Sequence, residues 1–179
     1  MSFEKAEKRR LFKEKLSVLG VEEKARKSRL IVSQLNSFSK LLDATVIAGF
    51  VPTAYEPNLI SLFSKIVIDK ELVLPYSVNG TDYEFKICKN LSDLEKGPYS
   101  IYQPIASAKT VAKDSIQFVF VPGVVFSKNG NRIGHGKGIY DRLLENCNAY
   151  KLGICFLEQL DDNFLVNDWD IQLDRVIFA

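Results

Sequence analysis

The chain has 179 residues, of which 46% are hydrophobic and 26% are charged. This composition is typical of a soluble domain that buries about 70% of its unfolded surface. No apolar run approaches the roughly 20 residues that span a bilayer, and the opening MSFEKAEKRRLFKEKL is charged throughout. These features argue against a membrane span and a secretory signal, so we expect a cytoplasmic protein that folds as a single domain over 1–179.

The charge distribution and the cysteine spacing argue against a nucleic-acid-binding protein and against a disulfide framework. The net charge is +2, but residues 1–29 carry ten Lys and Arg against five Asp and Glu, so the basic charge is local. Aromatic residues are not interleaved with this charge, which disfavours a nucleic-acid partner. Cys88, Cys147 and Cys155 are far apart and lack C-x-x-C spacing, a pattern that predicts buried free thiols.

Two helices are predicted at the start of the chain, over 3–18 and 21–36. Phe12 and Leu16 share one face of the first, apolar residues recur at helical spacing in the second, and Gly20 separates them. Lys5 and Arg9 are four residues apart, so both should project from the same face of the first helix. Without further information, this face would be interpreted as exposed and charged.

The rest of the chain alternates strands and helices. Short apolar runs rich in β-branched and aromatic residues predict strands over 44–51, 71–74, 83–88, 116–121, 151–156 and 175–178. Helices are predicted over 57–69 and 138–147, and a long loop over 89–100. We therefore predict an α/β three-layer sandwich with a mainly parallel or mixed central sheet, preceded by two N-terminal helices.

Unusual loops follow three of the predicted strands. Glu56 follows the strand over 44–51, and a glycine-rich stretch follows the strand over 116–121. The sequence CFLEQLDD begins in the last two residues of the strand over 151–156 and continues beyond it. Ligands of parallel sheets bind at the carboxyl ends of the strands. We therefore expect these loops to form the rim of one site.

The glycine-rich stretch VPGVVFSKNGNRIGHGKGIYDRLL occupies 121–144. A hairpin with a type I′ turn at Asn129-Gly130 accounts for 125–133. It does not account for the alternating Gly134, Gly136 and Gly138, which predict a backbone-defined anion site at the start of a helix. The spacing matches neither the Walker A loop nor the dinucleotide fingerprint.

Asp141 follows these glycines in the first turn of the predicted helix. A carboxylate is favoured there by the helix dipole alone. Beside bound phosphates it would be repelled unless a divalent cation lay between them, which makes magnesium a candidate ligand.

The glycine-rich stretch closely resembles the PG…F…G.R.G.G.G.YD signature of the 5-formyltetrahydrofolate cyclo-ligase family. The sequence VPTAYEP is similar to the segment around that family's substrate-binding glutamate, and FLEQL…NDWDIQLDRVI to its closing segment. The resemblance covers nearly the whole chain. It differs at Ile139, where a tyrosine is usual, and at Trp169, where a histidine is usual.

The resemblance implies an ATP- and magnesium-dependent enzyme that converts 5-formyltetrahydrofolate to 5,10-methenyltetrahydrofolate and releases ADP and phosphate. It implies a monomer that acts on small molecules. The implied catalytic residues are Lys137 and Arg132, and the implied metal ligands are Asp141 and Asp170. The implied ATP-binding residues are Lys5, Arg9, Arg132, Gly134, His135, Gly136, Lys137, Gly138, Ile139 and Tyr140. The implied substrate-binding residues are Val51, Glu56, Tyr99, His135, Gly136, Lys137, Gly138 and Ile139.

Other interpretations stay open from the residues alone. His135 is the only histidine, and its place between two glycines favours a phosphate or folate contact over a role as general base. The whole chain could instead be a catalytically silent nucleotide- or folate-binding module. It could also be a sugar-phosphate isomerase or a CoA transferase of similar build, which would leave Lys5 and Arg9 without a role.

Overall fold

The computed structural model of the chain describes residues 3–179. Its α-helices are α1 Phe3–Ser17, α2 Val21–Leu35, α3 Ser39–Asp43, α4 Ile60–Asp69 and α5 Ile139–Leu144. Its strands are β1 Val46–Ala48, β2 Glu71–Ser77, β3 Tyr83–Ile87, β4 Glu95–Lys96, β5 Tyr102–Gln103, β6 Thr110–Val111, β7 Phe118–Val121, β8 Val125–Phe126, β9 Arg132–Ile133, β10 Tyr150–Cys155 and β11 Arg175–Phe178.

Seven strands form the central sheet, in the order β11-β10-β7-β1-β2-β3-β6. The first five of these pair in parallel, whereas β3 and β6 are antiparallel to their neighbours. The predicted mainly parallel or mixed sheet is confirmed. Two small hairpins, β4–β5 and β8–β9, lie outside it.

Both faces of the sheet are covered, which explains why its central strands are almost continuously apolar. In β7, Phe118 and Phe120 pack in one buried cluster, with residues of α2, α3 and α4, while Val119 and Val121 pack in a second cluster with Leu143 and Leu144 of α5. Successive side chains of a strand point to opposite faces. The helices therefore form outer layers, as the three-layer prediction requires.

Helix α1 lies against the β8–β9 hairpin rather than on the sheet. Leu16 is fully buried, and Phe12 packs against the small cluster of Val124, Val125 and Ile133. The predicted shared face of Phe12 and Leu16 is therefore the face that packs. This contact brings the charged start of the chain to the glycine-rich stretch.

The β8–β9 hairpin is present, but the predicted type I′ turn is wrong. That turn needs positive φ at both central residues, and Asn129 is not among the described residues with positive φ, whereas Gly130 has φ 87°. The Ser127 N–H donates to the Asn131 carbonyl, and the Gly130 N–H to the Ser127 carbonyl. This is a three-residue loop closed by a left-handed glycine.

Other predicted boundaries shift for local reasons. Helix α4 begins at Ile60 rather than at 57, because the Asn58 side chain accepts the Ile60 N–H just before the helix. Helix α5 ends at Leu144 rather than at 147, close to the left-handed Asn146. The predicted loop over 89–100 contains β4, which pairs with β5. Within residues 3–179 no helix has both the length and the apolarity to cross a membrane.

Candidate functional site

The loops that follow β1, β7 and β10 meet at the carboxyl edge of the sheet. Glu56 follows β1, and its Oε1 atom lies 3.0 Å from the Nε2 atom of His135 in the glycine-rich stretch. Gln159, after β10, donates through Nε2 to the Gly123 carbonyl, at 2.9 Å, and to that of Val124, at 3.2 Å. The expected convergence of the three loops is therefore observed.

The glycines after β9 have the backbone freedom that the sequence suggested. Gly136 and Gly138 have φ of 93° and 62°, a region that residues with a side chain rarely adopt. A Cβ on Gly134 would lie 2.9 Å from Nη1 of Arg132. This backbone turns sharply into α5, whose first turn carries Tyr140 and Asp141.

Arg132, on β9, is a buried cation. Its Nη2 donates to Oδ1 of Asp141 at 2.7 Å, while its buried Nε has no hydrogen-bond partner within residues 3–179. The guanidinium lies 5.9 Å from the centre of the Tyr140 ring. An unpartnered buried donor on a charged group is costly, so this arrangement suits an anionic ligand.

Tyr140, like Arg132, has a buried polar atom without a hydrogen-bond partner among residues 3–179. Its hydroxyl is buried and lacks a hydrogen-bond partner in the described part of the chain. Burial raises the pKa of the Tyr140 phenol far above its usual value, the Glu56 carboxylate raises it further, and Arg132 opposes both. The hydroxyl therefore stays protonated and can donate a hydrogen bond.

Glu56 is a buried carboxylate, 6% exposed. Its Oε2 accepts the Thr53 N–H at 2.8 Å, and its Oε1 faces His135. The loop that carries Glu56 is anchored by Ser28 on α2, whose hydroxyl accepts the Asn58 N–H at 3.0 Å. Glu56 is therefore held in one position beside the glycine stretch.

Helix α1 adds two cations from one face. Lys5 forms an ion pair with Asp170, and Arg9 donates through Nε to the Gly134 carbonyl at 2.8 Å. The buried Nη1 of Arg9 has no hydrogen-bond partner among the residues described. Burial lowers the pKa of Arg9, against the opposing effect of Asp170. The predicted shared face of Lys5 and Arg9 is observed, but it is not an exposed face.

Lys137 and Tyr99 lie together on the more exposed side. The Lys137 ammonium is 5.3 Å from the centre of the Tyr99 ring, a cation–π distance. Tyr99 and Ser100 have φ of 58° and 60°, an uncommon conformation for residues with side chains. This strained turn presents the Tyr99 ring, which is 58% exposed, next to the glycine stretch.

Val51 and Ile139 take more ordinary places. Val51 is half-buried and packs against the cluster that includes Phe50 and Phe63. Ile139 packs against the cluster on the other face of the sheet. Both therefore belong to the apolar packing on the two faces of the sheet.

The two predicted magnesium ligands are both engaged by cations. Asp141 accepts from Arg132, while Asp170 accepts from Lys5 and, through the same Oδ2, from the Asn167 N–H at 2.7 Å. Among the described residues, no group of three or more His, Cys, Asp or Glu could hold a metal ion. Magnesium commonly takes one or two protein carboxylates and fills its octahedron with water and phosphate oxygens. The two aspartates fit such a donor set only together with a phosphate ligand.

One partly buried charge pair was not foreseen from the sequence. Glu158, directly after β10, is 3.1 Å from the buried ammonium of Lys27 on α2, and its buried Oε2 lacks a hydrogen-bond partner in residues 3–179. A Glu in a short segment after a strand gives no sign that one of its carboxylate oxygens will be buried. The adjacent Gln159, fully buried, was missed for the same reason.

The assembled site can bind and polarise an anion. Arg9 and Arg132 both lie against Gly134, and each carries a buried donor without a hydrogen-bond partner in the described chain. Asp141 accepts from Arg132 and Asp170 acts electrostatically on Arg9, but neither carboxylate satisfies these two donors. The geometry therefore favours a phosphate-bearing ligand over a neutral one.

Comparison with known proteins identifies the relatives of this chain. The model of the 5-formyltetrahydrofolate cyclo-ligase family matches residues 1–179. The 5-formyltetrahydrofolate cyclo-ligase of Mus musculus is 24% identical over 93% of this chain and 89% of its own. The structure of 5,10-methenyltetrahydrofolate synthetase from Aquifex aeolicus, at 30% identity, covers 97% of this chain and 89% of its own with a TM-score of 0.88.

A second solved structure gives the same result. The 5,10-methenyltetrahydrofolate synthetase from Mycoplasma pneumoniae is 25% identical, covers 98% of both chains and has a TM-score of 0.79. The family resemblance carried by the glycine stretch and the closing segment is confirmed. With its whole length matched by one family model and its fold shared with two solved synthetases, the chain belongs to the 5-formyltetrahydrofolate cyclo-ligase family, a family of ligases.

Proposed function

We propose that this protein converts 5-formyltetrahydrofolate to 5,10-methenyltetrahydrofolate, using ATP and magnesium and releasing ADP and phosphate. The formyl oxygen on N5 takes the γ-phosphoryl group of ATP, and ADP leaves. N10 then forms a bond to the activated carbon and loses its proton to solvent, and the C–O bond breaks to release phosphate. The folate substrate is the one named in the relatives.

The observation that carries the nucleotide part of the proposal is the convergence of Arg9 and Arg132 on Gly134. Their buried donors without partners in residues 3–179 are suited to phosphate oxygens. Phosphoryl transfer depends on positioning and charge neutralisation more than on covalent catalysis. Arg132 and Lys137 are the residues we assign to the transferred group, since both belong to the glycine stretch.

The Mg²⁺ ion would be held by Asp141 and Asp170 together with phosphate oxygens. When bound, it would supply charge neutralisation between the carboxylates and the phosphates. The ion pairs with Arg132 and Lys5 hold these carboxylates at the edges of the phosphate site. Both aspartates therefore have a role in positioning before any nucleotide binds.

We assign the folate to the side of the glycine stretch where His135 faces Glu56. Glu56 can accept hydrogen bonds from N–H groups of the pterin ring, and the Thr53 N–H and His135 already orient its carboxylate. Tyr99 and Val51 supply apolar surface for flat rings. The hydroxyl of Tyr140 lies near both Glu56 and Arg132, so we assign it to the boundary between the two substrates.

The deciding experiment follows the absorbance of the methenyl product with 5-formyltetrahydrofolate, ATP and magnesium. We expect a rise that requires ATP and that falls by about 100-fold or more in Asp141→Ala, since a group that balances transition-state charge is lost. Asp161→Ala is the control, because Asp161, like Asp141, is an aspartate paired with a cation, in its case Lys8, and it is not among the residues assigned to the site. A flat trace with ATP still bound by calorimetry would favour the catalytically silent binding module.

A further inference from the structure

Trp169 is the single tryptophan of the chain, and it is 72% exposed. Its ring makes no aromatic or cation–π contact with residues 3–179. Leu165 and Val166 on the same segment are 61% and 46% exposed. An aromatic side chain with an exposed face is a suitable surface for a ligand ring to stack on.

The backbone on either side of Trp169 is held in a turn. The Asn167 N–H donates to Asp170 Oδ2 at 2.7 Å and the Asp170 N–H to the Asn167 carbonyl at 3.0 Å, so the ring sits on a closed turn. Asp170 holds Lys5, and the Glu4 carboxylate accepts the Leu165 N–H at 3.3 Å. The turn is therefore tied at two points to the first turn of α1.

Helix α1 connects this turn to the phosphate site. Lys5 touches the turn, and Arg9, one helical turn further on, touches Gly134. A nucleotide whose phosphates lie at Gly134 and along the Lys5–Arg9 face would have its base near the Asp170 end of this line. The exposed apolar ring at that end is the indole of Trp169.

We propose that Trp169 is the stacking surface for the purine base of the nucleotide. The inference rests on the proposed use of ATP and adds how the base is held. Stacking uses the π-face that every base has, so it tolerates a change of base. Residues 165–170 are accordingly expected to give little discrimination between ATP and GTP.

The test uses the full-length protein and separates the base from the phosphates. Titration with magnesium and ATP should quench the fluorescence of the single tryptophan, whereas inorganic tripolyphosphate should bind with much less quenching. By calorimetry, Trp169→Ala should weaken ATP binding about tenfold, as the loss of one stacked base predicts. Trp169→Phe should restore most of that affinity, and neither variant should change the affinity for tripolyphosphate.

Leu165→Ala is the matched control, since it shortens another exposed apolar side chain of the same segment. Equal ATP affinity in Trp169→Ala and the parent protein would overturn the proposal, as would an equal loss of tripolyphosphate affinity. If the parent binds ATP but Trp169→Ala makes no difference, only the stacking inference fails. If the parent binds no ATP, the proposed nucleotide use fails as well. Equal weakening by Leu165→Ala would assign the segment to a docking surface instead.

Discussion

At the scale of single residues, Glu56 combines burial with negative charge. The Thr53 N–H and His135 are its observed partners, and a buried carboxylate is retained only when such partners compensate its desolvation. A ring nitrogen of a substrate could therefore form a charge-assisted hydrogen bond in place of the His135 contact. His135, which is more exposed than Glu56, is the partner that can move aside.

We expect Glu56→Gln to raise KM for 5-formyltetrahydrofolate by about 10- to 100-fold, because a hydrogen bond to a charged acceptor becomes a neutral one. Glutamine keeps an oxygen for the Thr53 N–H, so the loop should stay in place. Initial rates over a range of folate concentrations give KM, and KM for ATP serves as an internal reference. Glu95→Gln, an exposed change on β4, should leave both constants unaltered. An unchanged folate KM in Glu56→Gln would remove Glu56 from the folate site.

The three cysteines allow a test of burial. Cys88, Cys147 and Cys155 are free and buried, as predicted, and burial raises the pKa of Cys88 to about 11 and also raises that of Cys155. A raised pKa lowers the thiolate fraction at pH 8, and the thiolate is the reactive form.

We therefore expect iodoacetamide at pH 8 to label the folded protein much more slowly than a small free thiol. In urea all three cysteines should react, which mass spectrometry can count. Rapid labelling of one cysteine in the folded protein would contradict its burial.

At the scale of elements, α1 is a charged helix that packs on the β8–β9 hairpin through Phe12, and Leu16 on the same helix is also buried. Its packing face contains few apolar residues, so ion pairs from Lys5 and Lys8 to the closing part of the chain supplement it. The helix is therefore placed by the same charges that we assign to nucleotide binding.

Arg9 and Arg10 provide a matched pair on this helix. Arg9 is half-buried and contacts Gly134, whereas Arg10 is exposed and pairs with Glu14 on its own helix. We expect Arg9→Ala to raise KM for ATP by about tenfold or more, through loss of charge-assisted hydrogen bonds to phosphate. Arg10→Ala should have little effect, since exposed pairs within a helix contribute about 0.5 kcal/mol or less. Steady-state kinetics of both variants at one ionic strength give the two values of KM for ATP. An equal rise in both variants would count against a specific role for Arg9.

At the scale of the whole molecule, Gln159 links the sheet to the site. It is fully buried, its Oε1 accepts the Phe156 N–H at 2.8 Å, and its Nε2 donates to two carbonyls of the loop after β7. These contacts hold the ends of β10 and β7 at a fixed distance. The shape of the site therefore depends on a side chain outside it.

We expect Gln159→Leu to lower the free energy of unfolding by about 2–4 kcal/mol, because it leaves buried backbone groups without partners. Urea denaturation measures this change. Gln172→Leu is the control, since its amide also donates to a backbone carbonyl, that of Asn129, but from an exposed position, and it should cost about 0.5 kcal/mol or less. A loss below about 1 kcal/mol in Gln159→Leu would mean that these hydrogen bonds are replaced by others or by water.

The sequence alone determined the sheet and the glycine loop of this protein. Runs such as Phe118–Val121 are short, apolar throughout and made of aromatic and β-branched residues, a pattern typical of a strand covered on both faces. The glycines at 134–138 predicted an irregular backbone, and Gly136 and Gly138 have positive φ. Even there, the turn type at Asn129-Gly130 was predicted wrongly, since a left-handed glycine serves more than one kind of hairpin loop.

Only the tertiary structure decided how these parts are joined. Lys5 meets Asp170 across 165 positions of the chain, and His135 meets Glu56 across 79. The burial of Gln159 and of the Oε2 atom of Glu158 likewise depends on which elements pack over them. Local sequence pattern reflects local conformation, whereas the partner of a charge is set by where the sheet order and helix packing place distant segments. The strands and the glycine loop could therefore be inferred from sequence, and the ion pairs that shape the site could not.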